Sequence, residues 1–122
     1  MSTQEIANAF FGLCAEGKFE EAGRAYWSSD IVSIEAMDGP MAKATGREAV
    51  EAKGAWWYAS HEIHSIKVEG PYVNGNQFTV RFTMDVTPKD GQRLTMDEHG
   101  LYTVSDGKIV EERFFYGSHL AA

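Results

Sequence analysis

From His61 to Tyr116 apolar and polar residues alternate with period two, in four runs divided by turn signals. The runs extend from about Glu62 to Val73, Gln77 to Thr87, Arg93 to Val104 and Lys108 to Tyr116. Asn74-Gly75 is the strongest hairpin signal in the chain, because both residues tolerate the positive φ of a two-residue turn. Pro88-Lys89-Asp90-Gly91 and Ser105-Asp106-Gly107 turn the chain again. Three hairpin connections in a row make an antiparallel meander. Its strands are longer than usual, and a sheet of such strands twists and bends. Gly70-Pro71 marks a bulge or edge feature in the first strand, since proline lacks the ladder N–H. Phe78, Val80, Phe82, Met84 and Val86 share one face of the second strand, so one side of the sheet has to be covered.

The residues before His61 supply the cover. Ser2 and Glu5 have capping-box spacing and open a helix with Ile6, Phe10, Leu13 and Cys14 on one face. Gly17 ends it. A second helix is expected from Phe19 to Trp27, with Phe19, Ala22 and Tyr26 inward, broken by Ser28-Ser29-Asp30. Ile31 to Met37 reads as a strand with Ile31, Ser33, Glu35 and Met37 on one side, ended by Asp38-Gly39-Pro40. Thr45 and Glu48 form a second capping box before a third helix. That helix carries Val50, Gly54 and Trp57 on one stripe, with Ala49, Lys53 and Trp56 beside it. The order α-α-β-α-β-β-β-β is an α+β fold. Its strongly bent, mostly antiparallel sheet wraps around the helices as a cone with an interior pocket.

Composition narrows the function. With 122 residues the chain is one domain, from residue 1 to 122. Eighteen acidic against 11 basic residues leave a net charge of −7 and no basic patch, which argues against nucleic acid and an anionic membrane surface as partners. Cys14 is the single cysteine, so neither an intrachain disulfide nor a Cys-rich zinc site is available. No run approaches the roughly 20 apolar residues of a membrane span. The first residues lack the basic and apolar regions of a signal peptide, and a cytoplasmic location is expected.

The residues that could carry chemistry are few. Glu98 alternates with Leu94, Met96, Gly100, Tyr102 and Val104, an apolar face on which a lone charge is costly unless paired or protonated. It is either a pocket acid or a buried, bonded glutamate that fixes the sheet. Glu35 shares its face with Ile31 and Met37; loss of water would favour its neutral form and suit it to proton transfer, and the alternative is a structural ion pair. His64 alternates with Glu62, Ile66 and Val68, which points it inward near Glu98, as that residue's partner or as a bonded core histidine. His61 and His64 face opposite sides of a strand, so no metal is expected, and no cofactor. Trp56 and Trp57 could roof the pocket and stack on a flat ligand, or simply pack. Tyr26, Met84, Tyr102, Arg113 and Phe115 complete the candidate lining. In the last strand either Glu111, Arg113 and Phe115 or Glu112, Phe114 and Tyr116 face inward, and the pattern leaves both open.

The segments Ala15-Glu16-Gly17-Lys18-Phe19-Glu20-Glu21, Asp30-Ile31-Val32-Ser33-Ile34-Glu35, Thr45-Gly46-Arg47-Glu48-Ala49-Val50 and Tyr102 to Val110, in the order above, resemble the NTF2-like superfamily with its cystatin-like α+β barrel. The likeness is closest to the SnoaL-like branch, which includes polyketide cyclases and lies near the ketosteroid isomerases. By that resemblance the isomerases' general-base aspartate falls on Glu35 and their protonated aspartate near Glu98 to Gly100. Their first-helix tyrosine falls on Phe10, which cannot donate a hydrogen bond.

Three functions compete. One is a cofactor-free isomerase, cyclase or dehydratase acting on a small hydrophobic or aromatic molecule, with Glu35 moving a proton and Glu98 or His64 holding the oxyanion or the proton. Another is a ligand-binding module without chemistry, lidded by Trp56 or Trp57. The third is a structural or assembly role through the outward sheet face of Thr79, Arg81, Thr83, Thr95 and Thr103, and a homodimer through that face is expected whichever function holds.

Overall fold

The chain's structure, a computed structural model, describes residues 1–117. Two helices, α1 (Thr3–Ala15) and α2 (Phe19–Tyr26), lead into strand β1 (Trp27–Ile34) and a short β2 (Lys43–Thr45). Helix α3 (Arg47–Ser60) runs directly into β3 (His61–Asn74), followed by β4 (Gln77–Pro88), β5 (Leu94–Ser105) and β6 (Lys108–Phe115). The strand order is β2-β1-β6-β5-β4-β3, antiparallel except where β1 lies parallel to β6. β2 and β3 form its edges, so the sheet curves without closing on itself. The expected α+β architecture is present.

The capping box at Ser2 forms as its spacing requires. The Glu5 N–H donates to Ser2 Oγ at 3.1 Å, and the Ser2 N–H donates to Glu5 Oε1 at 3.0 Å. Ile6, Phe10 and Cys14 of α1 are buried against Phe78, Val80 and Tyr102 of the sheet. All five alternating apolar residues of β4 are buried, as their period demands. The β3 register shifts between Glu69 and Tyr72, at Gly70-Pro71. Gly70 has φ +127, and a Cβ there would lie 3.0 Å from the Thr79 carbonyl oxygen, so the bulge requires glycine.

Three local expectations give way to tertiary contacts. Trp27 belongs to β1, not to the second helix; the strand begins at once because its backbone pairs with Ile109 of β6. Ser28, Ser29 and Asp30 are therefore strand residues, and β1 ends at Ile34. Thr45 does not cap α3. It pairs with Val32 in the added strand β2, and the N-cap is Gly46, at φ 91, with no side-chain cap. In β3 a second register shift, between Ile63 and Ser65, reverses the alternation, so Ile63 and Ile66 turn inward and His64 turns out.

Candidate functional site

A cavity of about 1340 Å³ opens between the helices and the concave face of the sheet. Its wall is largely apolar, with Phe10, Phe82, Met84, Leu94, Met96, Tyr102 and Phe114 among the residues that line it. Two glycines shape this wall. A Cβ on Gly100 would stand 2.8 Å from the Tyr102 hydroxyl, so glycine there lets the Tyr102 ring fold back and stack on Phe78, with centroids 4.9 Å apart. A Cβ on Gly23 would come within 2.6 Å of the Trp27 ring, which lies directly on α2.

Set into the wall is one connected polar network. Glu112 of β6 is buried, with its Oε1 accepting from Trp27 Nε1 at 3.0 Å and its Oε2 bound to Ser33 Oγ at 2.7 Å. Lys53 of α3 is only 13% exposed, and its ammonium donates to Ser33 Oγ at 2.5 Å and to Glu35 Oε2 at 3.1 Å. Glu35 Oε1 accepts from the Tyr116 hydroxyl at 3.3 Å. The directions follow from the donor inventory. An ammonium only donates, so Ser33 Oγ accepts from Lys53 and its own O–H is left for Glu112. Each oxygen of Glu35 and Glu112 thus has a hydrogen-bond donor. Phe114 lies beneath the ammonium, its ring centre 5.4 Å from Nζ.

Glu98 of β5 lines the same cavity with no hydrogen bond or ion pair among the described residues. Burial, then repulsion from Glu35 and Glu112, outweighs the attraction of Lys53 and raises its carboxyl to about 7. Burial is also the first cause that raises Glu112, against the pull of Ser33, Lys53 and Trp27. Cys14 is pushed up to about 12 by burial and then by Glu112, so it is an unreactive thiol rather than a nucleophile. Burial comes first for Tyr116 too, raised to about 12 with help from the Glu35 charge.

Of the sequence candidates, the cavity gathers Glu35, Glu98, Trp56, Trp57, Met84 and Tyr102. Trp57 stacks on His61 at 4.4 Å, while Trp56 stands at the mouth, 55% exposed. The others lie elsewhere. His64 is exposed and 2.8 Å from Thr87 Oγ1, because the bulge carries it to the outer face away from Glu98. Tyr26 packs against the core outside the cavity lining. The pairing of β6 puts Glu112, Phe114 and Tyr116 inside, so Arg113 faces out toward Glu111 at 3.7 Å and Phe115 is half exposed. Sequence reasoning did not single out Lys53, Ser33 or Trp27 as site residues. Lys53 lies three residues after Val50 and four before Trp57, a spacing that places it on their side of the helix.

A bent, mostly antiparallel sheet covered by three helices is the NTF2-like fold. The chain matches the SnoaL-like domain over residues 1–116 and belongs to that family. It is 55% identical to a Mesorhizobium loti protein of known structure, which covers 95% of this chain and 100% of that one with a TM-score of 0.93. That protein carries the provisional name SnoaL-like polyketide cyclase, with carbohydrate phosphatase in brackets. An NTF2-like protein from Burkholderia thailandensis matches at 14% identity and TM-score 0.83, over 99% of this chain and 95% of that one. A Catenulispora acidiphila protein with a ketosteroid isomerase-like fold, solved with trimethylamine, matches at 18% identity and TM-score 0.72, over 91% and 85%. These last two share the fold. No curated protein matches the chain.

Proposed function

We propose that the protein binds a small, uncharged, mainly apolar molecule in this cavity and moves a proton on it without a cofactor, with Glu98 and Glu35 as acid and base. The observation that carries this reading is Glu98: a carboxyl group without a protein partner among the described residues, raised to about 7 in an apolar wall. Protonated, it donates a hydrogen bond to a ligand carbonyl oxygen. Glu35, an anion fixed by Lys53 and Tyr116, takes a proton from the adjacent carbon; returning it to another carbon gives an isomer with no change in atoms.

An anionic ligand suits the cavity poorly. Besides the protonated Glu98, the described wall carries Glu20, Glu35, Asp38, Glu48, Glu51 and Glu112 against Arg24 and Lys53. Arg24 is paired with Glu20 and Glu51, and Lys53 with Glu35. A phosphate ester or carboxylate would enter a negative field.

The test uses 2-tetralone, a flat neutral ketone, in deuterium oxide, with 2-naphthoate as its anionic counterpart. Deuterium uptake beside the carbonyl is expected to exceed the buffer rate and to be lost in Glu35→Gln. Uptake at the buffer rate, or tighter binding of 2-naphthoate, would overturn the reading. A second reading, binding without turnover, is favoured by the two donors that already hold Glu35. It predicts a molecule released on denaturation after native mass spectrometry, and at most an altered affinity in Glu35→Gln. We further propose a homodimer through the outer sheet face and a cytoplasmic setting, in which the unpaired Cys14 stays reduced.

A further inference from the structure

We propose that Lys53 is the positioning residue that assigns the cavity carboxylates their roles, holding Glu35 and Glu112 as anions and leaving Glu98 as the proton carrier. The inference rests on the reading of the cavity as an acid/base site. It gives that site a residue outside the acid–base pair, and one that need not touch the ligand.

The geometry is that of one cation shared by two anions. Lys53 reaches Glu35 directly at 3.1 Å and Glu112 through Ser33, by contacts of 2.5 and 2.7 Å. These contacts use two of its three N–H groups. The donors are supplied by separate elements: Lys53 by α3, Trp27 and Ser33 by β1, and Tyr116 by the segment after β6. Glu98 is on β5, and none of these donors reaches it. The charged or titratable groups that act on Glu98 are Glu35, Glu112 and Lys53, and it acts in turn on Tyr58, Tyr102 and Tyr116. Three carboxyl groups within electrostatic reach of one ammonium cannot all ionise at low cost in an apolar wall. The proton settles where no donor stabilises the anion, on Glu98.

This partition gives Lys53 and Ser33 effects on different carboxyl groups. Without the ammonium, Glu35 loses its charge partner and competes with Glu98 for protons. Without the Ser33 hydroxyl, Glu112 loses a donor while Lys53 still holds Glu35. The proton then moves toward Glu112, and Glu98 is left more acidic.

The experiment reads the charge state of each carboxyl group directly, by ¹³C NMR of the glutamate side chains in the unliganded protein at pH 6. The wild type is expected to show Glu98 as the acid and Glu35 and Glu112 as anions. In Lys53→Met the Glu35 signal should move toward the acid form, and Lys53→Arg should restore its anion. In Ser33→Ala, a small change that keeps Lys53, the Glu112 signal should move toward the acid and Glu98 toward the anion. A Glu35 signal unmoved in Lys53→Met, or Glu98 ionised in the wild type at pH 6, overturns the proposal. If Lys53→Met does not fold, the Ser33→Ala result decides: no exchange of charge between Glu112 and Glu98 overturns it. The outcome is independent of 2-tetralone. Failure of deuterium uptake with these charge states intact would remove the proposed chemistry and leave the assignment by Lys53 standing.

Discussion

Glu112 shows how much one buried charge asks of its surroundings. The Trp27 N–H is one of its two hydrogen-bond donors, at 3.0 Å. Trp27→Phe keeps an aromatic ring but leaves a carboxylate oxygen without that donor, and a hydrogen bond to a charged group contributes about 1.5–3 kcal/mol. Urea unfolding of this variant should show a loss of that size, with Glu112 raised further; no loss would mean that water replaces the indole. Inward residues of regular strands were legible in the sequence, because simple alternation placed Glu98 with Met96 and Tyr102 on the lining face. His64 was misplaced by the same rule, since a one-residue bulge at Ile63–Ser65 carries no hydrophobic signature. The network was not legible, because Ser33, Lys53 and Glu112 meet only when β1, α3 and β6 assemble.

At the scale of elements, α1 and α2 each contain a glycine, and their surroundings give opposite expectations. Gly12 in α1 is exposed, and a Cβ there would meet nothing within 4 Å. Gly12→Ala should therefore stabilise the protein by about 0.5–1 kcal/mol, the helix preference for alanine. Gly23 in α2 lies against the Trp27 ring, where the added carbon would overlap it at 2.6 Å. The same gain in Gly23→Ala is opposed by a packing cost of about 1–3 kcal/mol and by strain on the Trp27–Glu112 hydrogen bond. Net destabilisation is expected, and thermal unfolding of the two variants side by side checks both signs. Capping signals were readable where nothing else claimed the residue. Ser2 caps α1 at the start of the chain, while Thr45 goes to the β1–β2 pairing and leaves the α3 cap to Gly46.

At the scale of the whole molecule, α-helical and period-two patterns were enough to give the order of the main elements, and the short β2 was missed because three residues show no period. The proposed dimer predicts a mass of twice 13.5 kDa by light scattering at micromolar concentration, and a monomer would contradict it. The cavity also leaves a mark on global stability. Glu98 is raised from 4.5 to about 7 in the folded chain, with burial the first cause. Between those two values the folded chain holds a proton that the unfolded chain has released. Stability therefore falls as pH rises through this window and levels off above it. A shift of this size corresponds to at most about 3 kcal/mol, and solvent at the cavity mouth reduces it to ~1–3 kcal/mol. Glu98→Gln keeps the shape and has no proton to lose, so it should lack this fall. Glu112 is present in both proteins, and its own titration largely cancels in the comparison. Urea unfolding at pH 5 and pH 8 should then show the variant gaining on the wild type by ~1–3 kcal/mol over that interval. Parallel pH profiles would mean that Glu98 ionises as readily in the folded chain as in the unfolded one, and the acid proposed for the cavity would have no proton to give at neutral pH.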